Sequence, residues 1–517
     1  MWLAAITGVA ILANLPFLAV RGLFADDWSW FHLYWTEGPA SVMRAMVEAA
    51  HGAYGPWFVL AFGAGAEAGR VARWVAFALH LANAWLLFRL LRRPVLTRRV
   101  APLAAAIFLV SPFYTARGML AHTQYDLFLA CWLASVAWMA ARARWQRIAA
   151  PVAMAVAMGF EPLMLLEPLR ALHAWQNERR WPALARRLAP FWAIAVLTAL
   201  LRFTLLKPHG HWEGFRAISF APGALAEHLA LGLAHAPAAG ALAAWEAAYA
   251  LPWWLLAIVV AAAGFACWRG IGGAPRSARD RRGTLIALNL ALALVALGTL
   301  PYALSGDHPW PTRFESRFFF VQNVGAVIGV AALIVALPRA WLRRAAAWAA
   351  LTLFALGTLG DGKWLLLDER IQSAVQREAF PELLDPASPK LVRLRIEPAS
   401  NRTLYRFRCL GAGELNVPAD LLRPAGAAKS FMYETLCGDW DNLAPAACSI
   451  TYVDRLECPR RLENRTFEMA ARLHWQRATW ADAFGDDIID KPLPCTATQK
   501  LIFLLINVPP PAHLCVR

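Results

Sequence analysis

Two aspartates, Asp26 and Asp27, stand side by side in GlyLeuPheAlaAspAspTrpSerTrp at positions 22–30. They follow directly on an apolar opening stretch, and aromatic side chains frame them. A carboxylate in such a place can take a proton from an attacking hydroxyl. As a pair, two carboxylates could also hold a divalent cation through oxygen. Three other stretches concentrate polar groups. Ser111 to Asp126 carries Arg117, His122, Tyr125 and Asp126; Ser305 to Phe320 carries Asp307, His308, Arg313, Glu315 and Arg317; Pro208 to Glu213 carries His209 and His211. Arginine presents a planar fork that binds phosphate oxygens by charge-assisted hydrogen bonds. Structural roles compete with these. Asp126 could cap a helix, Glu315 and Arg317 could pair with each other, and the two histidines could be loop residues.

Whether these groups can meet depends on the elements that carry them. The chain has 517 residues, 59% hydrophobic and 17% charged, with mean hydropathy +0.42. A soluble domain has about 25% charged residues. The apolar excess falls in long runs up to about Gly360, and the remainder has the composition of a soluble domain. The expected architecture is an all-α polytopic membrane protein of about 11 membrane helices at 1–360, followed by a small α/β or mostly-β domain at 361–517. The net charge of +16 does not point to nucleic acid, because the basic residues cluster between apolar runs, where they set membrane orientation.

Runs and clusters together give a topology. Met1 to Val20 lacks a basic start and reads as a retained first span rather than a signal peptide. The segment 21–70 is then an outer loop with interfacial helices. Further spans are expected near 71–88, 101–115, 126–141, 190–206, 252–268, 284–304, 318–337 and 345–360. Basic clusters flank residues 148–175 on both sides, so a pair of short helices bent near Gly159 to Pro162 is expected to enter and return. Glu161 lies at the bend and should point inward, since charge is costly at mid-membrane. Residues 207–251 form a second outer loop. This arrangement puts the N-terminus in the cytoplasm and the tail outside, as in a bacterial inner or plasma membrane protein.

Six of the eight cysteines lie in the tail: Cys409, Cys437, Cys448, Cys458, Cys495 and Cys515. An even set in a small extracytoplasmic domain reads as disulfides, with pairing undetermined. Alternating residues predict strands at 390–396 and 403–409, and an apolar run predicts one at 501–508. The topology also places Asp26, Asp27, Arg117, Asp126 and Arg317 on one outer face. There, arginines could bind a lipid-linked phosphate while a carboxylate activates an acceptor hydroxyl.

These motifs, in this order, resemble the GT-C fold glycosyltransferases, the superfamily of the protein O-mannosyltransferases and aminoarabinose transferases. PheAlaAspAspTrp is similar to the family's carboxylate motif after the first span. TrpPheValLeuAlaPheGly, AlaLeuHisLeuAlaAsnAlaTrp, SerProPheTyr with Asp126, GlyPheGluPro and PheGluSerArgPhePhePheValGlnAsnValGly resemble later motifs of the multispan O-mannosyltransferases. The match covers roughly 1–340. It departs from the pattern at Ser111, where a His is usual, and at Phe160, where a Lys is usual, and it lacks tetratricopeptide repeats.

The resemblance implies an inverting transferase with a polyprenyl-phosphate-linked sugar donor and a protein, glycan or lipid acceptor. Asp26 or Asp27 would be the base or a metal-linked carboxylate, and Asp126 a second acidic group. Arg317, with Glu315, Arg313 and Arg117, would face the donor phosphate; His122, Tyr125 and Glu161 would line the acceptor side. No cofactor is required beyond a possible divalent metal. A lipid-sugar flippase or transporter, or a noncatalytic envelope-glycan assembly subunit, could use the same cavity. Internal inverted repeats would favour transport, and none are evident.

Overall fold

The computed structural model describes residues 2–92 except 25, 100–178 except 115, 180–204, 253–270, 278–305, 317 and 319–384, seven short strands between 390 and 469, and a few isolated positions. Helices fill nearly all of the described residues before 385. Four are long and apolar enough to cross a membrane, at Gly65–Leu91, Trp181–Arg202, Asp280–Tyr302 and Ala340–Lys363; four shorter apolar helices lie at Ala4–Ala19, Val100–Val110, Trp253–Trp268 and Phe320–Ala336. This is an integral membrane protein built from apolar helices.

α1 (Trp2–Ala19) leads to three short helices, α2 (Asp26–Glu37), α3 (Pro39–Glu48) and α4 (Gly55–Phe62). α5 (Ala68–Leu91) and α6 (Val100–Val110) follow. A 3-10 turn at Ala116–Gly118 then enters α7 (Leu120–Met139). α6 is buried at every position from Val100 to Val110 except the half-buried Pro102, and α7 buries Thr123, Gln124, Asp126 and Ser135 among its apolar neighbours. A helix buried all round belongs inside the bundle.

α8 (Arg144–Ala157) and α9 (Glu167–Asn177) form the expected bent pair, joined by a 3-10 turn at Glu161–Leu166. Pro162 stands in the first positions of that turn. Gly159 makes the bend possible by close approach, because a Cβ there would lie 2.7 Å from both Ala53 Cβ and a Phe128 ring carbon. Arg170 locks the pair. Its guanidinium is fully buried between the Trp132 and Phe191 rings, 5.1 and 4.3 Å away. Its Nε donates to both Glu167 oxygens at 2.8 and 3.0 Å, and Nη2 donates to Ser135 Oγ at 2.8 Å. A buried cation needs such a counter-ion and donor-acceptor matching.

α10 (Trp181–Thr204), α11 (Trp253–Gly270), α12 (Ala278–Ser305) and α13 (Phe320–Ala336) complete the apolar set. Exposed tryptophans mark the helix ends beside basic residues: Trp145, Trp181, Trp268 and Trp341. Arg344 stacks 5.4 Å over Trp268 and Arg89 stacks 4.7 Å over Trp85. Amphipathic rings beside snorkelling cations suit a headgroup layer.

α14 (Ala340–Leu384) is the longest helix, at 45 residues. It runs unbroken across Gly360–Asp361, where the composition changes, and Asp361 and Lys363 are buried. The tail strands are β1 (Lys390–Ile396), β2 (Arg402–Thr403), β3 (Arg406–Phe407), β4 (Phe431–Glu434), β5 (Ala447–Ile450), β6 (Leu456–Arg460) and β7 (Glu463–Met469). β1 lies between β4 and β7, parallel to both. The strand expected at 390–396 is present. In place of a single strand at 403–409 there is a two-residue antiparallel pair, Arg402 opposite Phe407 and Thr403 opposite Arg406; antiparallel pairing reverses the chain inside the alternating run. Residues 501–508 lie outside the described residues. Cys448 and Cys458 fall on the paired strands β5 and β6; the other four tail cysteines, and all six tail thiols, lie outside the described residues.

Candidate functional site

α7 begins without a cap of its own. Its N-cap residue is Met119, which offers no side-chain acceptor. The first amides of a helix have no partner within the helix, and Asp27 supplies one from 93 residues earlier. Its Oδ2 accepts from Leu120 N–H at 2.9 Å and its Oδ1 from Ala121 N–H at 2.7 Å. Oδ2 also accepts from Phe24 N–H at 3.2 Å, while Asp27 N–H donates back to the Phe24 carbonyl at 3.0 Å. A carboxylate here also faces the positive end of the α7 dipole. Asp27 is fully buried. Burial raises its pKa from the ordinary 3.8 to about 6, against the pull of the three amides and the nearby Arg73 charge.

Arg73, on α5, secures the same junction. Its guanidinium donates to the Val20, Gly22 and Gly118 carbonyls at 3.2, 2.7 and 2.7 Å. It therefore ties the end of α1 to the turn before α7. α4 joins too, through Trp57 Nε1–H donating to Thr123 Oγ1 at 2.8 Å.

Asp126 lies a turn and a half further along α7 than Ala121, fully buried. Asn83 Nδ2–H donates to its backbone carbonyl at 2.9 Å and to Oδ1 at 3.2 Å. His80 Nε2 faces the Phe108 carbonyl at 3.1 Å, and His80 Nδ1 faces Asp126 Oδ1 at 3.4 Å. A carbonyl only accepts, so Nε2 carries a proton. Among the described residues Asp126 Oδ2 has no hydrogen-bond partner, and neither do Arg117 Nε and Nη2. Arg117 is buried over the Phe17 ring at 5.4 Å and interacts electrostatically with Asp126. A buried carboxylate oxygen and a buried guanidinium edge, both with hydrogen-bonding capacity to spare, form a site able to bind a polar group.

Aromatic rings wall this region. Tyr125 stacks on Phe160 at 4.2 Å and lies near Tyr114 and Phe320 at 6.1 and 5.5 Å. Ser111 Oγ–H donates to Asn323 Oδ1 at 2.8 Å, which fixes the α6–α7 loop against α13. His122 is buried and feels the charge of Arg317, on the turn just before α13.

The structure thus brings Asp27, Arg117, His122, Tyr125, Asp126 and Arg317 round the start of α7. Glu161 is not part of that group: it pairs with Arg202 of α10 at 3.1 Å. The side chains of Asp26, Arg313 and Glu315, and residues 209 and 211, lie outside the described residues. Both Asp27 oxygens face N–H donors. Among the described residues no three His, Cys, Asp or Glu side chains cluster as a metal site requires.

Sequence reasoning gave no site role to Arg73, or to His80 and Asn83 of the motif AlaLeuHisLeuAlaAsnAlaTrp, and all three share one stripe of α5. The signal was present: polar residues seven and three positions apart in an apolar helix lie on one side of it.

The site and the apolar helices define a class: a multispan membrane protein with a buried acid and guanidinium centre at one helix end. Known proteins add little to this. No family model matches the chain, and no curated protein does. Among solved structures, ArnT from Cupriavidus metallidurans in the apo state is similar, with 16% identity and a TM-score of 0.41, covering 83% of this chain and 85% of that one. A likeness that distant carries no chemistry, which rests on the residues above.

Proposed function

We propose that the protein is a membrane glycosyltransferase, moving a sugar from a polyprenyl-phosphate-linked donor to an acceptor hydroxyl on the outer face of the membrane. The observation that carries this reading is the seating of Asp27 on the first amides of α7. It gathers the Asp26–Asp27 segment, Arg117, His122 and Asp126 round one helix end. In a helix, adjacent residues point about 100° apart. With Asp27 committed to α7, Asp26 is the candidate base.

Asp26 takes the proton of the acceptor hydroxyl. The oxygen then attacks the anomeric carbon, and the carbon–oxygen bond to phosphate breaks with its electron pair leaving on the polyprenyl phosphate. The configuration inverts. Arg117 and Arg317, with Arg313, balance the phosphate charge, while Asp126, held by His80 and Asn83, orients Arg117. The topology of about eleven membrane helices, a bent short pair among them, with a cytoplasmic N-terminus and an extracytoplasmic tail containing disulfides, belongs to the same proposal. So does the boundary between a membrane domain at 1–360 and a tail domain at 361–517.

The test compares membranes containing wild type or Asp26→Asn, supplied with short polyprenyl-phosphate sugars. Envelope glycans and glycoproteins of a deletion strain are read by mass spectrometry. Loss of general base catalysis costs about 10²–10⁴-fold, so the variant should fall by at least a hundredfold and one glycan species should be missing from the strain. Transfer by Asp26→Asn at the wild-type rate would overturn the assignment, as would an unchanged glycan profile.

A further inference from the structure

The long helix α14 does not stop at the membrane-type segment, and its extension reaches the aspartate loop. Glu369 Oε1 accepts from Arg21 N–H at 2.8 Å and from Gly22 N–H. Those two amides lie four to six residues before the Asp26–Asp27 pair. One turn earlier on α14, Leu365 and Leu366 pack with Phe17, Val20, Phe24 and Met119 in a small core separate from the main one. The same segment is gripped from the other side by Arg73, which takes the Val20 and Gly22 carbonyls and feels the charges of both Asp27 and Glu369. The chain between α1 and α2 therefore has its amides held from α14 and its carbonyls held from α5. It contributes no regular structure of its own between Val20 and Phe24, so these two contacts set the direction from which the chain enters α2.

We infer that Glu369 is a positioning residue for the Asp26–Asp27 carboxylates, and that through it the helix leading into the tail sets the geometry of the transfer site. The inference rests on the glycosyltransferase reading for its catalytic consequence, but the clamp itself is a structural claim with its own readout. Glu369 touches backbone amides and no reacting atom. Its loss should act on turnover and leave donor binding, at Arg117 and Arg317, largely alone.

The experiment uses the full-length protein in membranes and in detergent. Glu369→Ala removes the acceptor. Glu369→Gln keeps one carbonyl oxygen able to accept both amides and serves as the conservative rescue. Gly22→Ala leaves amides and carboxylate in place but sets a Cβ 3.2 Å from Glu369 Oε1, displacing the contact without removing a charge. Hydrogen exchange of the peptide covering residues 20–30 is read alongside kcat and KM for a short polyprenyl-phosphate sugar.

Glu369→Ala should speed exchange at Arg21 and Gly22 at least tenfold. It should also lower kcat at least tenfold, with donor KM changed less than threefold. Glu369→Gln should recover most of both effects, and Gly22→Ala should fall between. Wild-type exchange in Glu369→Ala would overturn the clamp, as would a defect confined to KM or an equal defect in Glu369→Gln. If Glu369→Ala does not fold, Gly22→Ala decides, and wild-type exchange and kcat in that variant overturn the inference. If no variant or wild type transfers sugar, the glycosyltransferase reading fails, and the exchange result still judges the clamp.

Discussion

Asp27 offers a direct check, because burial and hydrogen bonding pull it in opposite directions. Its pKa stands at about 6 against an ordinary 3.8, so the folded protein binds the proton more tightly than the unfolded chain does. A carboxyl raised in this way contributes stability that is fully present below about pH 4 and is lost as pH rises through about 6. A shift of roughly two units at 1.36 kcal/mol each amounts to about 3 kcal/mol. Asp27→Asn removes the titration while keeping one carbonyl oxygen for the helix amides. Unfolding free energies of the two proteins are measured in mixed micelles from pH 4 to pH 8. Other titrating groups are common to both, so the difference between the curves isolates Asp27. Wild type should lose about 2.4 kcal/mol of this relative to Asp27→Asn between pH 4 and pH 7, the rest lying below pH 4. Parallel curves would refute the reasoning, for they would mean that the three amides and Arg73 fully offset the desolvation of the charge. A difference of the opposite sign would mean that they exceed it.

Two further substitutions separate binding from scaffolding. Arg117→Lys keeps a charge but not the planar fork, and Arg117→Ala keeps neither; donor KM should rise about tenfold and a hundredfold respectively, read from steady-state kinetics with a short lipid donor. Glu161→Gln breaks the pair with Arg202, where both side chains are partly exposed, at 21% and 17%. Its thermal unfolding should reveal a cost of about 1 kcal/mol or less, with turnover within threefold of wild type.

What was legible in the sequence follows physical lines. Apolar length and basic flanks locate a helix without reference to anything else in the molecule, and α1, α5, α10, α12 and α13 lie where those signals put them. The bend at Gly159 to Pro162 was readable for the same local reason, since Pro162 interrupts a helix and Gly159 permits close approach. Partnerships were not readable. Nothing in the residues around Met119 says that the cap of α7 comes from Asp27, and nothing near Glu161 names Arg202. α5 was read only as a membrane segment, because its mean hydropathy hid the stripe of Arg73, His80 and Asn83. The extent of α14 was missed for a related reason: a composition change at Asp361 marks a change of surroundings, whereas a helix continues as long as its backbone bonds and packing allow.

The aspartate pair itself shows why two acids are needed where one could do chemistry. A carboxylate that is to act as a base must keep a lone pair free, yet the loop that carries it must be fixed against the helices it serves. Asp27 meets the second demand, since both its oxygens accept from the three amides that fix the loop. Of the two neighbours at the start of α2, Asp27 anchors the loop, which on the proposed reading leaves the work of the base to Asp26. On the proposed reading, Asp27 could be exchanged for another good cap with a modest loss of stability, whereas exchange of Asp26 would remove the proton acceptor. Clamping of the preceding residues by Glu369 and Arg73 follows from the same need, because an anchored aspartate directs its neighbour only if the chain entering the helix is also held.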